Sequence, residues 1–332
     1  MHRGRNLWLD LFKLVMCWMI ISIHFVWETY AYHPVYRLAV PLFFAISGYF
    51  NYRRDPQKRH NGARSFIERS LKYMVIGFGF YIVFDFILCY VDGKGVGYYF
   101  TTLFYENFLF DFLFLNRPIT YSGAQLWFLI ALFVVSIVHY ALVRFQKEHW
   151  YRWIVPVTLA IQLFFGAYMR LFQETDMPIR YTRNAWFDGL PFFGTGYLLA
   201  QYDLHKKKWY KWLYLLLGAV FFLLQIPEHS LVQTEVYAST VPATAFLLLF
   251  FLGLPSPKAD WYYRWFGKAM PFYVYILHMA VGIVIGRLFT FPNLFIRSIV
   301  ILLVSIGVYE VCYLIALAAG HLIRKEVSAN EV

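Results

Sequence analysis

The chain has 332 residues, of which 60% are hydrophobic, 22% aromatic and only 15% charged. A water-soluble domain of that length has no interior large enough for so much apolar surface, so the composition describes a polytopic helical membrane protein. The formal net charge of +11 raises nucleic acid as a partner, but the distribution of the basic residues along the chain excludes it.

Apolar runs of about 17–25 residues predict transmembrane helices, and ten such runs lie near 7–27, 34–51, 70–91, 126–145, 152–170, 186–202, 211–227, 237–254, 270–288 and 295–322. The first run is too long for a cleavable signal and has no small-residue cleavage site, so it reads as the first span. It also carries Asp10, Lys13, His24 and, at its end, Glu28. On a helix these four positions fall within roughly 60° of one another. An ionisable side chain deep in a bilayer costs on the order of 2.5–3.5 kcal/mol and normally faces a cavity or a partner. Two readings stand: a polar pathway along one stripe, or an Asp10–Lys13 salt bridge with an interfacial His24 and Glu28.

With the amino terminus inside, the inner segments hold Arg3, Arg5, the cluster from Arg53 to Arg69, and Arg144, Lys147 and Arg152. They also hold Lys206 to Lys211, Lys258, Arg264, Lys268, Arg324 and Lys325, against Lys94, Arg117, Arg170, Arg180 and Arg183 outside. This positive-inside bias puts both termini in the cytoplasm. Residues 97–115 are apolar enough to span, yet an eleventh helix there would turn Lys206–Lys211 outward. That segment is therefore expected to be an outer interfacial or re-entrant piece, its aromatics serving as an interface belt or as a platform for sugar rings. The chain is expected to be one transmembrane domain over 1–323 with a short cytoplasmic tail at 324–332. Cys17, Cys89 and Cys312 lie within apolar runs and have no ligand-spaced neighbours, so neither a metal site nor a thiol nucleophile is expected.

Lys13 and His24 lie about 20° apart in azimuth and roughly 16 Å apart along the first helix. Lysine at the inner end suits an anionic group. Histidine near the outer end suits proton transfer from an attacking hydroxyl, an effect typically worth 10²–10⁴-fold in rate. Glu28, one turn further, is placed either to orient the imidazole as a triad carboxylate does or simply to face water at a helix end.

Lys13-x10-His24 resembles the Arg/Lys-x10-His signature on the first helix of acyltransferase family 3, the integral-membrane acyltransferases. Further segments are similar to the family in the same order: Val40-Pro41-Leu42-Phe43-Phe44-Ala45-Ile46-Ser47-Gly48-Tyr49, Arg69-x-x-Lys72-Tyr73, Leu126-Trp127-Phe128-Leu129 and Phe272-Tyr273-Val274-Tyr275-Ile276-Leu277-His278. Two positions depart from the pattern, Lys72 where the family usually has Arg and Tyr49 where it usually has Phe. Lysine keeps the charge but loses the bidentate fork. No hydrolase-like domain follows the helices, so the chain looks like the stand-alone form.

The resemblance implies transfer of an acetyl or other short acyl group from cytoplasmic acyl-coenzyme A to a hydroxyl of an extracytoplasmic glycan or lipid-linked sugar, in a bacterial inner membrane. It implies His24 as general base or acyl carrier with Glu28 beside it, and Lys13, Arg69 and Lys72 as contacts to the polyanionic donor. Arg53, Arg54, Lys58 and Arg59 are left as topogenic charge. Acyl-coenzyme A enters as substrate, with no bound cofactor expected. On the acceptor side the implied positions are Ser47, Gly48, Tyr49, Trp127 and His278. Packing by small residues stands beside substrate contact at Ser47–Gly48, and a satisfied core histidine stands beside an active-site role at His278. Asp85, Asp188, Arg287 and Glu310 are expected to be paired structural charges.

A transporter or flippase for a polysaccharide, a lipid-linked sugar or a small solute is the alternative, since intramembrane His, Lys and Asp also suit a proton-coupled carrier. The spans show neither repeated halves nor paired broken helices of common carrier designs. A scaffold within a glycan-export complex is the third.

Overall fold

The computed structural model describes residues 6–26, 33–95, 97–98, 100, 106–172, 179–204, 210–232, 234–255, 257, 260–266 and 269–329. It is helical, with no strand among the described residues. The principal helices are α1 (Leu7–Phe25), α2 (Ala39–Asn51), α3 (Pro56–Val91), α4 (Trp127–Arg144), α5 (Tyr151–Ile161), α6 (Leu190–Gln201), α7 (Lys211–Leu231), α8 (Thr240–Gly253), α9 (Met270–Leu288) and α10 (Leu294–Ala329). Each of the ten expected segments is thus helical. Among the described residues, six helices are long and apolar enough to cross a membrane by themselves: α1, α3, α4 with its preceding turn from Ala124, α7, α9 and α10 to Ala318. Of the other four, α5 runs on into a π turn, Gln162–Ala167, and α6 is preceded by one, Ala185–Gly189. The helix α10 continues to Ala329, into the residues expected as a tail. The segment 97–115 contains the six-residue helix Phe108–Leu113, and residues 99 and 101–105 lie outside the described residues.

Local chemistry sets the starts of these helices. The Asn6 side chain accepts from the Leu9 amide, and Asp55 accepts from the Lys58 amide, with Pro56 as the first residue of α3. Each side chain satisfies an amide that the helix leaves without a partner.

The chain divides into two compact units, residues 29–255 and residues 1–28 with 256–332. The larger unit is built on backbone-to-backbone crossings. A Cβ added at Gly48 would lie 2.7 Å from the Phe193 carbonyl carbon, and one added at Gly196 would lie 2.6 Å from that of Ala45. Glycine at both positions lets α2 and α6 touch main chain to main chain, the small-residue packing that lipid-embedded helices favour. The α3–α4 contact carries a buried Ser70–Ser136 hydroxyl pair at 2.8 Å. Asp85 is fully buried at the far end of α3 and accepts from the Tyr121 and Ser122 amides at 2.7 and 3.0 Å and from the Ser122 hydroxyl. Among the described residues the partners of this charge are thus loop N–H and O–H groups rather than a cation. Arg37 is ion-paired with Glu235.

The smaller unit consists of α1, α9 and α10. Cys17 Sγ donates to the Pro271 carbonyl at 3.3 Å, and Trp18 Nε1 donates to Ser298 Oγ at 3.0 Å. Ile21, Ile285 and Ile301, one from each helix, form its buried centre.

Candidate active site

The ionisable stripe of α1 resolves into two separate parts. At its start, Lys13 Nζ lies 2.8 Å from Asp10 Oδ1, with the lysine side chain 23% exposed and the aspartate 5%. At its end, the His24 ring lies against His278 of α9, centroids 5.6 Å apart and planes tilted by 34°. The Asp10–Lys13 salt bridge of the second reading is present, while His24, interfacial in that reading, has a histidine neighbour from another helix. Glu28 lies outside the described residues.

His278 is 1% exposed. Its Nδ1 is 2.6 Å from the Tyr275 carbonyl, a contact that only an N–H can make. In the neutral imidazole this leaves the lone pair on Nε2, which is buried and has no hydrogen-bond partner among the described residues. The two rings meet because α9 presents His278, Gly282 and Gly286 on one face, at helical spacing i, i+4 and i+8. Opposite Gly282 sits Phe25, so close that a Cβ there would come within 2.5 Å of Cε2. Glycine at 282 is what lets the end of α1 settle onto α9.

A family model of an acyltransferase domain, acyltransferase family 3, matches residues 6–317. The chain belongs to that family. No curated protein and no solved structure matches the chain. Family membership and the long apolar helices make the protein a multi-pass membrane acyltransferase.

The remaining expected positions of this acyltransferase lie in the larger unit. Arg69 and Lys72 are exposed on α3 and have no carboxylate partner among the described residues; Arg69 Nε donates to the Ser65 carbonyl at 3.1 Å. Their basic neighbours are differently occupied. Arg59 pairs with Glu148 at 2.7 Å, Arg54 pairs with Asp203, and Arg53 folds back on the Tyr52 carbonyl at 2.8 Å. In α2 the Ser47 hydroxyl donates to the Phe43 carbonyl at 2.9 Å, while Gly48 and the 2%-exposed Tyr49 carry the packing of this region. Trp127 is buried at the start of α4, with the Arg183 guanidinium 5.4 Å from its ring centroid.

Sequence reading did not find a cavity of about 350 Å³ in the larger unit, lined among others by Gln162, Phe165, Gly166, Tyr181, Trp186 and Phe187. Both π turns border it, and Gln162 Nε2 reaches Asp188 Oδ1 across them at 3.3 Å. Asp188, expected to be a paired charge, has the Arg183 and Arg37 guanidiniums as charged neighbours. A π turn has no simple signature in sequence, though such turns often mark working regions of a helix.

Proposed function

We propose that this acyltransferase moves an acetyl or other short acyl group from a cytoplasmic acyl-coenzyme A to a hydroxyl of an extracytoplasmic glycan or lipid-linked sugar, in a bacterial inner membrane. The observation that carries the reading is the His24–His278 imidazole pair where α1 meets α9. His24 takes the proton of the acceptor hydroxyl as its oxygen attacks the thioester carbonyl. The carbon–sulfur bond breaks, and the coenzyme A thiolate leaves and is protonated. In the covalent variant an imidazole nitrogen of His24 first accepts the acyl group and then yields it to the hydroxyl. His278, held by its bond to the Tyr275 carbonyl, lines the same site. The same reading takes Lys13, Arg69 and Lys72 as contacts to the anionic donor, Ser47, Gly48, Tyr49 and Trp127 as contacts to the acceptor, and Glu28 as the carboxylate that orients His24.

The proposed topology has ten crossings, both termini in the cytoplasm and 97–115 at the outer surface. The direction of the helices in the smaller unit supports it. Cys17 meets Pro271 and His24 meets His278, so α1 and α9 run the same way. Two parallel helices need an odd number of crossings between them, which the ten-span path supplies and an eleventh helix at 97–115 would not.

The test is release of free coenzyme A from acetyl-coenzyme A by the purified protein in liposomes, for wild type, His24→Ala and His24→Gln. Release that both substitutions abolish in folded protein supports the reading. Release that persists in both removes His24 from the chemistry. A solute moved across the vesicle without thioester consumption would favour the carrier.

A further inference from the structure

Beyond the histidine pair, the same face of α9 holds a guanidinium. Arg297, in the first turn of α10, lies over the Phe25 ring, its Cζ 5.3 Å from the centroid. It also presses on α9 at Gly286, where an added Cβ would come 2.5 Å from Nη2. The three helices thus stack three layers along α9, each about 6 Å from the next. These are His24 on His278, Phe25 on Gly282 and Arg297 on Gly286. Arg297 makes no salt bridge among the described residues, and its Nε is buried without a hydrogen-bond partner. A half-buried guanidinium, fixed by an aromatic face and a glycine and with a buried Nε–H that no described residue accepts, has the chemistry to bind an anion. Guanidinium prefers planar oxyanions, which it takes through two parallel N–H bonds.

We infer that Arg297 binds an oxyanion, a phosphate or carboxylate, on the molecule whose hydroxyl is acylated at His24. This rests on the acyl-transfer reading, and it narrows the acceptor class to an anionic glycan or lipid-linked sugar phosphate. The phosphate of a bilayer lipid has the same chemistry, and the experiment separates the two sources.

Glucose 1-phosphate is titrated by calorimetry into the full chain in phosphatidylcholine nanodiscs, with glucose as the neutral control and no thioester present. The result is therefore readable even if the protein transfers no acyl group. Wild type is expected to bind the sugar phosphate saturably and to ignore glucose. Arg297→Gln is expected to weaken binding about ten-fold or more, the loss typical of a charge-assisted bond. Gly286→Ala keeps the charge but displaces the guanidinium, and is expected to weaken binding too; it carries the test should Arg297→Gln not fold. In nanodiscs with added phosphatidylglycerol, an Arg297-dependent rise in Tm together with loss of sugar-phosphate binding would uphold the oxyanion site and assign it to lipid. Equal affinity and equal Tm for wild type, Arg297→Gln and Gly286→Ala in both membranes would overturn it.

Discussion

Substituting Gly282 by alanine tests whether the α1–α9 contact builds the histidine pair. The new Cβ would sit 2.5 and 2.7 Å from Phe25 Cε2 and Cε1 and closer still to Cζ. Ordinary carbon–carbon contact is about 3.5–4.0 Å, so the ring must retreat by about 1 Å or rotate away. Overpacking of this kind costs about 1–3 kcal/mol. Because Phe25 adjoins His24 in α1, the displacement also pulls the His24 ring from His278. Gly307 in α10 of the same unit has nothing within 4 Å of an added Cβ. Alanine there is expected to be neutral or to stabilise by about 0.5–1 kcal/mol, the usual gain of a helix-interior glycine replaced by alanine. The assay is thermal unfolding of the purified protein followed by tryptophan fluorescence, with Trp18 bonded across the unit to Ser298, run beside coenzyme A release. Gly282→Ala should lower Tm and slow release, and Phe25→Leu added to it should recover part of both, a coupling that a double-mutant cycle reads directly. Wild-type Tm and release in Gly282→Ala would refute the reasoning. So would equal damage from Gly307→Ala.

In the larger unit, Gly196→Ala meets main chain rather than a movable ring, the Ala45 carbonyl carbon at 2.6 Å. It should destabilise by about 3 kcal/mol or more, beyond the usual overpacking range, measured as loss of monodisperse protein on size exclusion; a normal yield with unchanged Tm would contradict the crossing. Asp85→Ala leaves the Tyr121 and Ser122 amides without their acceptor, at a cost of about 2–4 kcal/mol for buried groups bonded to a charge. The expected readout is proteolytic cutting within 116–124 that wild type resists, and equal resistance would count against it. Lys13→Gln should raise the KM for acetyl-coenzyme A with little change in kcat, whereas Asp10→Asn, which frees the ammonium, should not. Equal Tm loss from both substitutions without any KM change would make the pair purely structural.

The helical class was legible because apolarity sustained over the width of a bilayer leaves few other structures open, and six of the ten expected segments form helices that long among the described residues. The helix breaks were not legible. Nothing in Gln162–Ala167 or Ala185–Gly189 distinguishes a π turn from an ordinary one. Periodicity placed Asp10, Lys13 and His24 on one stripe, and that stripe is real within α1. Whether its members share partners was invisible, since Lys13 turns to a neighbour three residues away while His24 turns to a residue 254 positions later. The glycines show the same limit. Gly48, Gly196 and Gly282 are helical glycines like Gly307, and only the partner helix tells a close approach from open space. Arg297 escaped notice because a boundary arginine reads as snorkelling to the interface, and its inward placement depends on Phe25 and Gly286 in two other helices.

The two ends of α1 hold their ionisable groups in different ways. Lys13 is compensated by Asp10, so its charge has a partner within one turn of the same helix. His24 meets His278 ring to ring, at a centroid distance of 5.6 Å. In its neutral form His278, with its Nδ1–H donated to the Tyr275 carbonyl, offers only the Nε2 lone pair to whatever enters. A hydroxyl is a suitable entrant, since it can donate its proton to one imidazole while that proton is being withdrawn. The Arg297 guanidinium stands two layers away along α9, at Gly286, so the histidine pair and the nearest cation of this face are separate sites on one helix.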